Sequence, residues 1–165
     1  MFERPAAAGR ERYATYANAR FGFSVEYPAD LLVPESESDN GDGRVFVGKR
    51  PRDPRESATS LRVWAYGSHN VNGLSLRDSF ETATQQTAPD LTATRRVTYQ
   101  RSGANWYVVS GLLALRANPR RQDHIFYTKT ILRDGVFKTL HLRYHRRERA
   151  RLDPIVTRIS RSFRG

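Results

Sequence analysis

The chain has no cysteine among its 165 residues. Disulfide bonds, thiolate metal sites and cysteine nucleophiles are therefore excluded. It also lacks an apolar run of the roughly 18 residues that a membrane-spanning helix needs. The longest candidate, residues 108–115, contains Ser110 and Gly111. Residues 1–10 have no apolar central region of the signal-peptide type, so we interpret them as the start of a mature or trimmed chain.

Motifs for nucleophilic and nucleotide chemistry are missing as well. The sequence has no G-x-S-x-G elbow, no dinucleotide-binding glycine pattern and no GK[ST] phosphate loop. Pairs of carboxylates for acid–base catalysis are a spatial property, and nothing in the sequence singles one out. We therefore expect a domain that is not an enzyme and that carries no cofactor and no metal.

Acidic residues are scarce relative to basic ones. The chain has 17 Asp and Glu against 28 Lys and Arg, which gives a formal net charge of +11. Such an excess favours an anionic partner: nucleic acid, a membrane surface or an acidic protein. Because the arginines are spread along the chain, a basic but otherwise ordinary soluble surface is the alternative interpretation. The length fits a flexible tail over residues 1–12 and a single domain over residues 13–165.

Alternating apolar residues indicate a largely antiparallel β-structure. Ser75 and Asp78 form the pattern of a capping box and predict a helix over residues 76–87. A second helix, apolar on one side, is expected from near Asp153 after a looser turn. Asp134-Gly135 is a strong hairpin signal. The predicted strands are residues 21–27, 31–33, 44–48, 60–66, 92–100, 105–115, 124–132 and 136–144.

These elements predict an α+β fold: an antiparallel β-sheet of about six or seven strands flanked by helices. The strand over residues 21–27 should stop at Pro28, which has no backbone N–H to donate. The strand over residues 105–115 is apolar on both faces. We therefore expect it to be central in the sheet and covered on two sides.

Two groups of residues are of types that bind metal ions, but their spacing argues against a regular metal site. His141 and His145 are four apart, but Leu140, Leu142 and Tyr144 alternate with them as in a strand. Residues four apart in a strand are about 13 Å apart, too far for one ion. The acidic loop over residues 35–42 lacks the Gly and Glu positions of an EF-hand. A solvated hairpin loop is favoured, and an irregular cation site stays open.

The candidate binding residues are arginines of the C-terminal third. Dense positive charge is what phosphate groups and acidic proteins both attract. Specific nucleic-acid modules would add a recognition helix or stacking aromatics, which the sequence does not clearly show. We take as candidates for partner or anion binding Arg143, Arg146, Arg147, Arg149 and Arg151, together with Arg120 and Arg121.

Two short motifs resemble the PsbP/DcrB-like superfamily. One is the segment over residues 21–30, which reads FGFSVEYPAD, and the other is ISRSF over residues 159–163. Leu31 stands where a Trp is common in that superfamily. The resemblance implies an antiparallel sheet between helices, an α/β/α sandwich. It also implies a mostly non-enzymatic group: the photosystem extrinsic protein, bacterial periplasmic proteins and lipoproteins, a Ran-binding import factor and chaperones of secreted effectors. It carries over no catalytic or binding residue.

From these observations we expect a non-enzymatic binding or accessory domain of a bacterial exported or envelope protein. The expected partner is a protein, and the expected location is the periplasm or cell envelope, with a cytoplasmic location still open. One alternative is binding of a polyanion or nucleic acid through the basic C-terminal third. Another is an adaptor, chaperone or immunity-type protein of a secretion system.

Overall fold

The computed structural model describes residues 11–85, 93–115 and 121–165. Most of the predicted tail over residues 1–12 lies outside this part of the chain, but Arg12 within it pairs with Asp30 at 3.2 Å. A single 3-10 turn, Arg146–Glu148, precedes the last helix. The described residues form β1 (Tyr13–Asn18), β2 (Phe23–Pro28), β3 (Leu32–Pro34), β4 (Gly43–Gly48), β5 (Arg62–His69), α1 (Leu76–Thr84), β6 (Ala93–Ser102), β7 (Trp106–Leu115), β8 (His124–Arg133), β9 (Val136–His145) and α2 (Arg149–Ser162).

Seven of these strands form one antiparallel sheet, and the other two form a separate hairpin. The order across the sheet is β3-β4-β5-β9-β8-β7-β6, and β1 pairs with β2. Strands β6 to β9 are each ten residues long and make up most of the sheet. The predicted class, an α+β fold with an antiparallel sheet of six or seven strands, is confirmed.

The two faces of the sheet are covered differently. Helix α2 and the β1–β2 hairpin pack on one face, called here the α2 face, where Phe23, Leu142 and Ile159 are fully or almost fully buried. Helix α1 packs on the opposite face, the α1 face, where Phe80 lies against Tyr107 with ring centroids 5.3 Å apart. The larger core is therefore on the α2 face.

Local signals in the sequence predicted several boundaries correctly. The side chain of Ser75 accepts from the backbone N–H of Asp78, whose carboxylate in turn accepts from the N–H of Ser75, which completes the capping box. Asp134 and Gly135 both have positive φ, 52° and 71°, as a two-residue turn between β8 and β9 requires. Pro28 is the last residue of β2.

Other boundaries differ from the prediction. Strand β1 was not predicted, and β2 begins at Phe23 because the backbone turns before it, with Gly22 at φ +67° and its N–H bonded to the carbonyl of Asn18. Helix α1 ends at Thr84, Gln85 follows it as an extended C-cap, and residues 86–87 of the predicted range lie outside the described residues. Helix α2 begins at Arg149, four residues earlier than predicted, so Pro154 is its sixth residue, where its missing N–H removes the helical bond to the carbonyl of Ala150.

Strand β7 is not central, although its sequence is apolar on both faces. It lies second from the edge, between β8 and the edge strand β6. On the α1 face its side chains meet α1. On the α2 face, Trp106 and Val108 line an open cavity beyond the end of α2. The apolar side chains on the second face of β7 thus form part of a cavity wall and are not covered by a helix.

A β-bulge interrupts the pairing of β6 with β7. Val97 is opposite Gly111 and Tyr99 is opposite Ser110, so Thr98 has no partner. A Cβ atom added to Gly111 would lie 2.0 Å from the carbonyl oxygen of Arg96 and 3.0 Å from the amide nitrogen of Thr98. Only glycine permits this close approach of the two backbones.

Substitution Gly111→Ala should therefore destabilise the domain by about 1–3 kcal/mol, the usual cost of overpacking, because the clash is with backbone atoms that have little room to move. The measurement is urea unfolding at equilibrium. Gln100→Ala, an exposed change on the same edge strand, is the control and should be nearly neutral. Equal stability of the two variants would contradict the close approach at Gly111.

Candidate functional site

One end of the sheet brings together three segments of the chain that carry exposed cations. Arg62 at the start of β5 is opposite Arg143 near the end of β9, and His124 at the start of β8 is opposite His145. The segments after β4, before β8 and after β9 therefore meet at this end. Arg151 shares a surface recess with Lys49. We call this surface the basic end and define it by Lys49, Arg50, Arg52, Arg121, Arg146, Arg147 and Arg151, all exposed.

The predicted binding residues do not form a single cluster. Arg121, Arg146, Arg147 and Arg151 belong to the basic end. Arg149 is paired with Asp153 of the same helix at 3.3 Å, and Arg143 points onto the α1 face, away from the basic end. Arg120 lies outside the described residues.

No pattern in the sequence singles out Lys49, Arg50 and Arg52 as binding residues. These residues stand in a charged, proline-containing loop that looked unremarkable as a linear segment. They belong to the basic end only because the start of β5, which follows this loop, is opposite the end of β9 in the sheet. Sheet order is a long-range property, and no local pattern in the sequence predicts it.

A partly buried hydrogen-bond cluster fixes the backbone beneath the basic end. The carboxylate of Glu148 accepts from the Thr59 hydroxyl at 2.9 Å, from the Ser60 amide at 2.8 Å and from the Ser60 hydroxyl. The Ser60 hydroxyl oxygen also accepts from the amide of His145 at 2.8 Å. Burial opposes ionisation of Glu148, but these hydrogen bonds outweigh it and lower its pKa. Glu148 therefore joins the start of β5 to the end of β9.

A second cluster centres on Asp123. Its carboxylate accepts from Nδ1 of His124 at 2.7 Å and lies 3.6 Å from Nε2 of His145. The hydrogen bond from His124 is the main reason why the pKa of Asp123 is lowered. Nδ1 of His145 accepts a hydrogen bond from the amide of Arg147 at 3.1 Å. This arrangement orients the turn that carries Arg146 and Arg147.

Arg143 belongs to a row of alternating cations and aromatic rings across the α1 face. Its guanidinium lies 5.3 Å from the ring centre of Trp64, and Arg62 lies 5.1 Å from the same ring. Arg95 lies 5.4 Å from the ring centre of Phe126, which is the strand partner of Arg143. Burial, and then the charge of Arg62, lower the pKa of Arg143. Arg143 is thus packed into the sheet face rather than presented to a partner.

His141 is held in its neutral form beside this row. A hydrogen bond of 2.7 Å joins its Nδ1 to the Thr128 hydroxyl, and its ring lies 5.2 Å from that of Trp64. Burial, with smaller effects of Arg143 and Arg95, lowers the pKa of His141 to about 4. Arg143 separates His141 from His145 along the strand, as the sequence predicted.

The acidic loop over residues 35–42 spreads its carboxylates among different partners. Asp42 pairs with Arg20 at 2.6 Å, and Glu37 accepts from the Tyr16 hydroxyl at 2.9 Å. Glu35 lies 3.6 Å from Arg62. Across residues 11–85, 93–115 and 121–165, no three His, Asp or Glu side chains are grouped in a way that could hold a metal ion.

Comparison with known proteins shows the fold alone. No protein-family model matches the chain, and no curated protein sequence matches it. Among solved structures, it is similar to the solution structure of cyanobacterial PsbP (CyanoP) from Synechocystis sp. PCC 6803. The TM-score is 0.65 at 12% sequence identity, over 98% of this chain and 96% of that chain. The fold is therefore PsbP-like, as the motifs over residues 21–30 and 159–163 predicted.

The helices α1 and α2 are both short and polar on one side. Neither they nor any other helix in the described part of the chain is long and apolar enough to cross a membrane.

Substitution Glu148→Gln should destabilise the domain by about 1–2 kcal/mol at pH 7, because it removes hydrogen bonds to an ionised acceptor. The folded-state pKa of Glu148 is below its ordinary value of 4.5, so its stabilisation is complete above pH 4.5 and is lost as the pH falls through the lowered pKa. Denaturant unfolding should show a smaller difference from the wild type at pH 3 than at pH 7.

The matched control for this variant is Glu56→Gln, an exposed carboxylate of the neighbouring loop. It should be nearly neutral at both pH values. A Glu148→Gln difference that is the same at pH 3 and pH 7 would show that the charge of Glu148 does not stabilise the fold.

His141 should titrate with a pKa of about 4 in the folded protein, measured from the pH dependence of its ring signals by NMR. Because an unfolded histidine has a pKa of about 6.5, this residue makes the fold less stable as the pH falls from 6.5 toward 4. A His141→Gln variant should lack that part of the pH dependence. A measured pKa near 6.5 would contradict the buried, cation-flanked environment.

Proposed function

We propose that this chain is a non-enzymatic accessory domain that binds an acidic surface of a partner protein through the basic end. The observation that carries the proposal is the convergence of exposed cations from three separate segments on one end of the sheet. Arg121, Arg146, Arg147 and Arg151 have no carboxylate within ion-pair distance among the described residues. Their charges are therefore available to an external partner.

A protein partner is favoured over a nucleic acid by two features of the basic end. Its segments, residues 49–60, 121–123 and 145–151, contain no Phe, Tyr or Trp on which a base could stack. They also contain Asp53, Glu56 and Asp123 between the cations, which would repel a phosphate backbone. A mixed pattern of charges is suited to a protein surface of complementary pattern. An adaptor or chaperone of a secretion system would use the same surface.

The bonding of the polar residues supports a binding role rather than catalysis. Glu148 accepts three hydrogen bonds from Thr59 and Ser60. Nδ1 of His145 accepts from the Arg147 amide, and His141 is bonded to Thr128 beside a Trp ring. Groups held in this way stabilise the fold and orient loops, whereas a general base needs a free lone pair directed at a substrate.

An exported location, in the periplasm or cell envelope, is part of the proposal. It is supported by the absence of cysteine and by the similarity of the fold to that of PsbP. The PsbP/DcrB-like superfamily, which the two sequence motifs resemble, includes bacterial periplasmic proteins.

The proposal predicts that Arg146→Glu/Arg147→Glu abolishes capture of the partner. The test is chemical cross-linking in intact cells of the native host that express the tagged protein from its own gene, followed by fractionation and mass spectrometry. The wild type should be found in the envelope fraction, cross-linked to a discrete acidic protein. The double variant should lose that product by at least tenfold, because two charges at the contact change sign.

The matched control is Arg96→Glu/Arg161→Glu, which changes the net charge equally at exposed sites away from the basic end. It should keep the cross-linked product. Equal loss in both double variants would show that only the overall charge matters. Salt-dependent binding of duplex DNA that is lost only in Arg146→Glu/Arg147→Glu would replace the protein partner by a polyanion.

A further inference from the structure

An open cavity of about 550 Å³ lies on the α2 face, beyond the C-terminal end of α2. Its floor is formed by strands β6, β7 and β8 near the end of the sheet opposite the basic end. This volume is within the range of about 300–1,000 Å³ that small-molecule sites usually have. All of the residues that line the cavity belong to the described part of the chain.

The cavity is apolar and aromatic at its base. Val108 and Ile131 form part of the floor and are 6% and 7% exposed. Three aromatic side chains, Tyr99, Trp106 and Tyr127, stand around them. Such a base accepts a planar, apolar group by stacking and by release of water.

Two of the aromatic side chains are held in place by neighbouring groups. The hydroxyl of Tyr127 is joined to the hydroxyl of Ser160 in the last turn of α2 by a 2.6 Å hydrogen bond. The ring of Trp106 lies directly against Gly103, where an added Cβ would be 2.3 Å from Nε1. The cavity is therefore largely preformed, which lowers the entropy cost of binding.

The rest of the lining is mainly cationic. Arg101, Lys129, Arg133 and Arg164 line the cavity beside Asn105 and Gly165, and no Asp or Glu side chain does. None of these four cations has an ion pair with a carboxylate among the described residues. Lys129 is the deepest of them, and Nζ donates to the carbonyl of Ser160 at 3.0 Å. Burial lowers the pKa of Lys129.

The β-bulge in β6 aims two of these residues into the cavity. Arg96, which is opposite Leu112, faces the same side of the sheet as Tyr99. In a regular strand, only residues separated by an even number share a face, but Arg96 and Tyr99 are three residues apart. The extra residue, Thr98, shifts the alternation by one, so Tyr99 and Arg101 reach the α2 face. If Thr98 were instead paired in a regular ladder, both side chains would point to the α1 face.

We infer that this cavity binds a small planar anion, with its apolar body between Trp106 and Tyr127 and its carboxylate or similar group against Lys129 and Arg101. The aromatic base sets the shape of the ligand, and the unpaired cations set its charge. The site is at the opposite end of the sheet from the basic end and is independent of the proposed protein contact.

The test uses two probes that differ only in charge, 2-naphthoate and 2-naphthamide. The chain has two tryptophans, Trp106 in the cavity and Trp64 on the opposite face of the sheet, so their indole N–H signals report the two faces separately by NMR. A Trp64→Phe variant assigns the signals. Naphthoate should shift the Trp106 signal saturably and leave that of Trp64 unchanged, and naphthamide should bind at least tenfold more weakly.

Substitution Lys129→Met keeps the length and apolar stem of the side chain and removes its charge. It should weaken naphthoate binding about tenfold or more, the loss expected for one charge-assisted hydrogen bond, and leave naphthamide within about twofold. Arg101→Met, at the exposed rim, should act in the same direction and is the safer variant for folding. Lys49→Met at the basic end is the control and should change neither affinity.

Four results would overturn the inference. These are no saturable binding of naphthoate at millimolar concentration, equal affinity for the two probes, a shift of Trp64 instead of Trp106, or unchanged naphthoate affinity in both the Lys129→Met and Arg101→Met variants. A native-like two-dimensional NMR spectrum of each variant confirms that any lost affinity is not lost folding.

Discussion

The pairing of β9 with both β5 and β8 is the constraint on which the rest of the structure depends. Through it, alternate residues of β9 are committed to opposite faces: Leu140 and Leu142 lie beneath α2, while His141 and Arg143 lie on the α1 face. The same pairing brings the start of β5 next to the end of β9, where Glu148 can reach Ser60. The basic end exists because this register is fixed.

Much of the fold could be predicted from the sequence because its signals are local. The capping box at Ser75 and the Asp134-Gly135 turn act over two to four residues, and both are present as expected. Strand β1 was not predicted because Tyr13–Asn18 has little apolar alternation of its own. It is ordered by its pairing with β2. The sites could not be predicted in the same way. Lys49 and Arg151 are about a hundred residues apart and meet only through sheet order.

The arginine-rich composition serves three physically different purposes. At the basic end, cations such as Arg146 are exposed and available to a partner. On the α1 face, the guanidinium groups of Arg143 and Arg62 lie over the ring of Trp64. They cover the ring as aliphatic side chains would in an ordinary core. In the cavity on the α2 face, Arg101 contributes a positive charge to the wall of an aromatic pocket. A net charge of +11 therefore does not describe one patch.

The bulge at Thr98 has a consequence for how such a domain can diversify. Because Thr98 is the unpaired residue of an edge strand, a one-codon deletion of it would restore regular alternation along β6, with Val97 still opposite Gly111 and Tyr99 still opposite Ser110. Tyr99 and Arg101 would then stay on the cavity side, and the buried core of β5, β9 and α2 would be untouched. A change in the length of β6 at this point would thus be neutral for the pocket, and its ligand preference would change through point substitutions at positions such as Tyr99 or Arg101.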